Sequence, residues 1–155
     1  MSQQILITGG AGFIGSHLCD QLLCRGYRVR VLDHLASQVH GEARRRPDYL
    51  DPEVELVTGD ICDAAAVRAA VRGVDAVFHL ASAVGVGQSM YEVAHYTRIN
   101  NLGTAVLLEA LIERPVRKLV VASSMSLYGE GMYRTAAGEL RTVGERTLEQ
   151  LRRGE

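Results

Sequence analysis

The chain has 155 residues, a formal charge of -1, 47% hydrophobic residues and 23% charged ones, enough for one ordinary globular domain with a core and too few for two. The balance lacks the positive excess that nucleic acid or anionic lipid would attract, so neither is expected as a partner. No apolar run approaches the roughly eighteen residues of a spanning helix, and the start "MSQQILITGGAGFIG" lacks the layout of a signal peptide, so a cytoplasmic protein is expected.

"QILIT" (4–8) is a short apolar run that breaks into glycines, and "FIGSHLCDQLLCR" (13–25) follows with Ile14, Leu18 and Leu22 on one helical stripe, closed by Gly26. "RVRVLD" (28–33) alternates as a strand does, and "VELVT" (54–58) is a third strand. Between them, Arg44 to Arg46 form the one charge run, expected to be a solvated loop. Asp63 is placed to cap a helix through "AAAVRAAVR" that stops at Gly73, and "DAVFHLA" (75–81) is the fourth strand. Residues 91–114 carry Ile99, Leu102, Val106 and Ala110 at helical spacing, and Pro115 ends that helix before the fifth strand, "RKLVVAS" (117–123). Strands alternating with helices predict an α/β fold with a doubly wound parallel sheet and right-handed crossovers.

Cys19, Cys24 and Cys62 are odd in number and lack a paired metal-type spacing. They are expected to be small buried hydrophobes, and no metal site is expected. His79 has no metal partner at ligand spacing and reads as a packed strand histidine.

The first turn carries the strongest chemistry. In "TGGAGFIG" (8–15), Gly9, Gly12 and Gly15 stand three apart, after a strand and opening a helix. The first permits the tight turn, the second lets backbone approach a pyrophosphate, and the third lets helix pack on sheet. The helix start, with Phe13 and Ile14 between the last two glycines, offers free N–H groups and about half a positive charge to phosphates. Asp33 ends the second strand eighteen residues past Gly15. A carboxylate there accepts hydrogen bonds from both ribose hydroxyls of NAD and repels the 2′-phosphate of NADP, so NAD is the cofactor expected.

Gly-x-x-Gly-x-x-Gly, "GDI" (59–61), "HLAS" (79–82), Asn100 and "SSMSLYG" (123–129), in this order, resemble the extended short-chain dehydrogenase/reductase family. The likeness covers residues 3 to about 134 and is greatest to its NAD-dependent sugar-nucleotide epimerases and dehydratases. "VGVGQSM" (84–90) and "SSMSLYGEGMYR" (123–134) look particularly like the 4-epimerases. The resemblance implies a Rossmann-like fold, and hydride transfer to and from a sugar carbon through NAD. It implies that Asp60 lies beside the adenine, with Ile61 giving a backbone contact, and that Leu80, Ala81 and Ser82 line the cofactor. Asn100 would hold a water in a proton relay, and Ser124 would hydrogen-bond the reacting sugar oxygen. Ser126 and Tyr128 would lie near substrate, Tyr128 on a loop and not as the base. Plainer readings stay open: a turn cap for Asp60, a strand end for "HLAS" and for the serines, and a surface amide for Asn100.

The family's base is a tyrosine in Tyr-x-x-x-Lys, where the ammonium draws the phenol toward ionisation. Bringing a pKa of about 10 near neutrality requires around 4 kcal/mol. No tyrosine of this sequence has lysine four residues on: Tyr128 is followed by Met132 and Tyr133 by Ala137, and Lys118 is the only lysine. Arginine, always charged and of different reach, does not substitute.

By the same comparison the sheet is truncated after its fifth strand. The reading is an incomplete NAD-binding Rossmann domain over 1–138 and a C-terminal helical tail over 139–155, whose Leu140, Val143, Leu148 and Leu151 make an amphipathic helix. The fifth strand is expected as an apolar edge. Three functions compete: the cofactor-binding part of an epimerase or dehydratase, inactive alone; a non-enzymatic NAD-binding module; and a remnant without function. The partner in a complete enzyme would be a nucleotide-sugar. The family's homodimer uses two helices per subunit, of which only the one over 91–114 is expected here.

Overall fold

The computed structural model describes residues 2–124, 127, 131–142, 144 and 146–154. Strand β1 (Gln4–Thr8) is buried at every position, as a strand with both faces covered must be. It pairs in parallel with β2 (Arg28–Asp33) on one side and with β4 (Ala76–His79) on the other. Outside these lie β3 (Glu55–Thr58) against β2 and β5 (Lys118–Val121) against β4, also parallel. The order β3-β2-β1-β4-β5 is the doubly wound one, reversing direction between β1 and β4. All five strands read from the sequence are present, the first two with the bounds read, the third shorter by one residue and the fourth and fifth by three each.

One core cluster joins α1 (Phe13–Leu23) to β1 and β2 through Ile5, Ile7, Cys19, Leu22, Val29 and Val31. It also holds Leu35, beside the single turn α2 (Ser37–His40). A second cluster sets Leu6, Leu32 and Val77 against Val67 and Ala70 of α3 (Ala64–Ala70). The predicted cap is present: the Asp63 carboxylate accepts from the backbone N–H of Ala65 and Ala66, at 2.8 and 3.4 Å.

Two helical readings need correction. In α1 the buried face runs through Gly15, Ser16, Cys19 and Leu22, and Ile14 is 67% exposed. Gly15 decides this: a Cβ there would stand 2.5 Å from the Gly10 Cα, so the helix packs on the Gly9–Gly10 turn by its glycine, which a count of apolar residues misses. Residues 91–114 are not one regular helix. After the one-turn α4 (Val86–Ser89), α5 (Val93–Thr97) runs into a π-helical segment, Arg98–Leu102, and then α6 (Gly103–Glu113). The buried stripe therefore passes through Gly103, Leu107, Ala110 and Leu111, and Leu102 is turned out. The Thr104 hydroxyl donates to the Asn100 carbonyl at 2.6 Å, supplying that carbonyl with a partner inside the widened turn.

The bland reading of the cysteines holds for Cys19, which is fully buried, but Cys24 is exposed and Cys62 half-buried. Nor is the arginine run simply solvated: Arg46 donates to the carbonyls of Leu50, Asp51 and Val54 and fastens the β2–β3 connection.

Packing divides the chain into two units, Met1–Ala122 and Ser123–Glu155; the boundary read at residue 138 falls inside the second. Within that unit, 139–155 is not one helix. Leu140–Thr142 is strand β7, antiparallel to β6 (Met132–Arg134), and among the described residues of 139–155 only α7 (Leu148–Arg153) is helical. Val143 lies outside the described residues. No helix among the described residues is long and apolar enough to cross a membrane.

Candidate dinucleotide site

The carboxyl ends of the parallel strands β1, β2, β3 and β4 lie along one end of the sheet, and the strand order reverses between β1 and β4. Gly9 N–H donates to the Leu32 carbonyl (2.8 Å), Leu80 N–H to Thr8 (3.0 Å), and Gly59 N–H to Asp33 (3.0 Å). A ligand crevice belongs at such a point. Gly9 has φ +70, and a Cβ on it would stand 2.7 Å from the Ala81 nitrogen. A side chain is excluded by conformation and by space together. Gly10 is equally required, since its Cβ would meet Val31 Cγ2 at 2.4 Å; the three-residue spacing gave no sign of it.

The loop's peptide groups are pinned one by one. Ala11 N–H donates to Asp33 Oδ2 at 3.0 Å, Gly12 N–H to the Gly9 carbonyl at 3.2 Å, and the Tyr49 hydroxyl to the Ala11 carbonyl at 2.7 Å. Helix α1 then starts at Phe13, after Gly12 as its N-cap, with no side-chain cap and no acidic residue in its first turn. Uncapped N–H groups at a helix start favour an anion. Phe13 and Ile14, the first two helical residues, are exposed at 80% and 67%.

Asp33 thus has a structural task that the sequence reading did not include. Its other oxygen, Oδ1, accepts from Leu35 N–H at 2.9 Å and so holds a buried leucine at φ +52, where bulky residues are rare. A carboxylate has about four lone-pair sites, so two bonds to backbone leave capacity for ribose hydroxyls.

At the end of β3, Asp60 Oδ1 accepts from Cys62 N–H at 2.8 Å, and its Oδ2 lies 3.6 Å from Arg98. The turn-capping task is therefore real, and one oxygen faces the π-helical segment. Ile61 is buried against Gly103, where a Cβ would come within 2.6 Å of it.

The loop after β4 is held by a hydrogen-bond chain that passes through His79. Thr104 Oγ1 has its proton on the Asn100 carbonyl, so it accepts from His79 Nε2 at 2.9 Å. This fixes the tautomer, and Nδ1 accepts from Thr8 Oγ1 at 2.7 Å. Thr8 Oγ1 in turn accepts from Ala81 N–H at 3.2 Å. Burial holds the His79 pKa below its ordinary value, consistent with a neutral ring. Asn100 closes the arrangement: Ala83 N–H donates to its Oδ1 at 2.8 Å, and its Nδ2 donates to the Ala83 carbonyl at 3.1 Å. Asn100 is thus a half-buried brace for the strip Leu80–Ala83, on which Ser82 is exposed, and not a free surface amide.

The structure accordingly brings together Gly9, Gly12, Phe13, Ile14, Gly15, Asp33, Leu80, Ala81 and Asn100 in one hydrogen-bonded region, with Asp60 and Ile61 at the neighbouring strand end. Ser124 is exposed and belongs to the second unit, where its carbonyl accepts from Leu127 N–H at 3.2 Å. Ser126 and Tyr128 lie outside the described residues. Sequence reading missed Gly10, Thr8, Thr104 and Tyr49; none falls in the glycine spacing. Among the described residues no group of three or more His, Cys, Asp or Glu is placed to hold a metal.

Strand order and glycine turn together define an α/β domain of the dinucleotide-binding kind. Residues 5–146 match the model of the NAD dependent epimerase/dehydratase family, and the chain belongs to that family. It is similar to dTDP-L-rhamnose 4-epimerase of Burkholderia thailandensis, 37% identical over 96% of this chain and 42% of the relative. It is also similar to UDP-glucose 4-epimerase of Bos taurus, at 36% over 86% of this chain and 40% of the relative. Among solved structures, UDP-glucose 4-epimerase of Thermus thermophilus in complex with NAD superposes with a TM-score of 0.70 at 36% identity, over 79% of this chain and 38% of that one. The Thermotoga maritima enzyme with UDP-glucose gives 0.75 at 31% identity, over 91% and 45%. The chain spans about two-fifths of the length of the curated relatives it matches.

Proposed function

We propose that this chain is the NAD-binding part of a nucleoside-diphosphate-sugar epimerase or dehydratase of the cytoplasm, and that these 155 residues bind NAD without turning over a sugar nucleotide by themselves. The observation that carries the reading is the glycine turn at the strand-order reversal, its peptides pinned and its helix start uncapped. The site fits the cofactor: at Gly12 the backbone is bare, and a Cβ there would meet only the Gly9 carbonyl, at 3.3 Å. The N–H groups of Phe13, Ile14 and Gly15 would take the diphosphate, Asp33 the adenosine ribose, and Asp60 with Ile61 the adenine edge. Leu80, Ala81 and Ser82 would line the nicotinamide side. When bound, NAD supplies an acceptor and donor of hydride.

Ser124 would hydrogen-bond the reacting sugar oxygen, with Ser126 and Tyr128 nearby. Asn100, through Ala83, would fix the strip beside the reacting carbon and keep one donor and one acceptor position for a water. The proton-transfer base is what this sequence lacks, having no Tyr-x-x-x-Lys. Subunits would pair through α6, whose Leu108 and Ile112 are 44% and 79% exposed.

A non-enzymatic NAD-binding module is favoured by one observation, the β5 edge, paired on one side only among the described residues. The test is calorimetric titration with NAD and NADP, together with an NMR assay for epimerisation of UDP-glucose and dTDP-L-rhamnose. Saturable binding with NAD preferred, and no turnover, is expected. Absence of NAD binding would overturn the cofactor assignment, and turnover would overturn the importance given to the missing tyrosine and lysine.

A further inference from the structure

Tyr49 belongs to no motif that defines the site, yet its hydroxyl makes one of the shortest hydrogen bonds to the glycine loop, 2.7 Å to the Ala11 carbonyl. It reaches there from the β2–β3 connection, where its neighbour Leu50 is 2% exposed in the core and Arg46 binds the carbonyls of Leu50, Asp51 and Val54. The phenol therefore arrives on an anchored strap. The two peptides flanking Ala11 are held from opposite partners: Asp33 takes the N–H and Tyr49 supplies the donor for the carbonyl.

We infer that Tyr49 is a positioning residue of the dinucleotide site, which holds the Ala11 carbonyl away from the diphosphate position and keeps the α1 N–H groups presented to it. The physical reason is electrostatic. A carbonyl oxygen free to turn toward an anion repels it, whereas one committed to a hydroxyl is fixed and partly neutralised. Burial and then the Asp33 charge raise the phenol's pKa, so the donor proton is retained over the physiological range. His40 Nδ1, 3.5 Å from the same oxygen, lies at the limit of hydrogen bonding and does not displace the bond to Ala11.

The inference rests on the NAD reading above, and the test separates the two. Tyr49→Phe removes the hydroxyl and leaves the ring in place, so the melting temperature should stay within about 3 °C of wild type. ADP-ribose and NAD should bind about three- to tenfold more weakly to the variant, the factor that one net hydrogen bond supplies. Adenosine, which has no diphosphate, should bind variant and wild type alike. A purely structural loss would weaken adenosine by the same factor. Unchanged ADP-ribose affinity in Tyr49→Phe, or an equal loss for adenosine, overturns the role of Tyr49 while the NAD reading stands. A wild-type chain that binds neither NAD nor ADP-ribose overturns both.

Discussion

Gly12 and Gly15 stand three residues apart in one turn, yet a methyl group on each meets different surroundings. On Gly15 it would lie 2.5 Å from the Gly10 Cα and 2.6 Å from the Gly9 carbonyl, both backbone atoms that cannot step aside. On Gly12, at φ -74, only the Gly9 carbonyl is near, at 3.3 Å. Gly15→Ala should therefore cost about 1–3 kcal/mol of folding stability. Gly12→Ala should change stability by less than about 1 kcal/mol and still reduce NAD affinity tenfold or more, because on the proposed binding mode its methyl would stand where the diphosphate approaches. Thermal unfolding and NAD titration of the two variants check this; equal stability losses would contradict the division of labour. His79 gives the second residue-scale prediction. Its folded pKa lies below the unfolded value of 6.5, so the unfolded chain binds the proton first. Its contribution is complete above about pH 6.5 and is lost as pH falls through that value toward the depressed folded pKa. The slope is at most about 1.4 kcal/mol per pH unit. Urea unfolding at pH 7.5, 6.5 and 5.5 measures it, and a midpoint unchanged across the series would show that the ring is not held neutral.

Among the elements, the Asp63 cap offers a clean measurement, since Asp63 is exposed and bonds two N–H groups of α3. Asp63→Ala should lower stability by about 1 kcal/mol, a shift of roughly 2–4 °C, with NAD affinity unchanged. The β5 edge offers another: Val121 is 51% exposed on a strand paired on one side only among the described residues. Val121→Lys should leave stability within about 0.5 kcal/mol and reduce concentration-dependent association seen by light scattering. Such strands were legible in the sequence because each is a short apolar run bounded by a glycine, proline or acidic residue. The helical faces were less so. The π-helical segment rotates the apolar face without changing the residues that compose it, and Gly15 buries a face to which it adds no hydrophobicity. The β6–β7 hairpin escaped for a different reason. All six of its residues are exposed, so no buried face imposes the alternation by which strands are recognised, and Leu140 shared a helical spacing with Leu148 and Leu151 by coincidence. The usable signal was Gly138, with φ +82, between "MYR" and "LRT". In the site, glycine spacing and the acidic strand end were readable because their chemistry is local. Thr8, Tyr49 and Thr104 act across 71, 38 and 25 residues of chain, and only the folded sheet brings such partners together.

For the molecule as a whole, a ligand that binds only the native state should raise stability by an amount set by its concentration and not by where it sits. NAD at one hundred times its dissociation constant adds about 2.7 kcal/mol. That gain should appear at amides that exchange only through global opening, which the fully buried Leu6, Ile7 and Val31 of β1 and β2 are placed to report. Their exchange should slow by about one hundredfold. The exposed hairpin Met132–Arg134 and Leu140–Thr142 opens locally at low cost, so its amides should exchange at the same rate with and without NAD. On the proposed binding mode, NADP at the same concentration should slow the β1 and β2 amides much less, because its 2′-phosphate would meet the Asp33 carboxylate, which two backbone bonds hold in place. Asp33→Asn should narrow the gap between the cofactors. Hydrogen exchange followed by mass spectrometry resolves all of these segments in one experiment. Equal protection by NAD and NADP would remove Asp33 as the source of cofactor choice, and protection no greater in β1 and β2 than in the hairpin would mean that NAD does not bind the sheet-bearing unit in its native form.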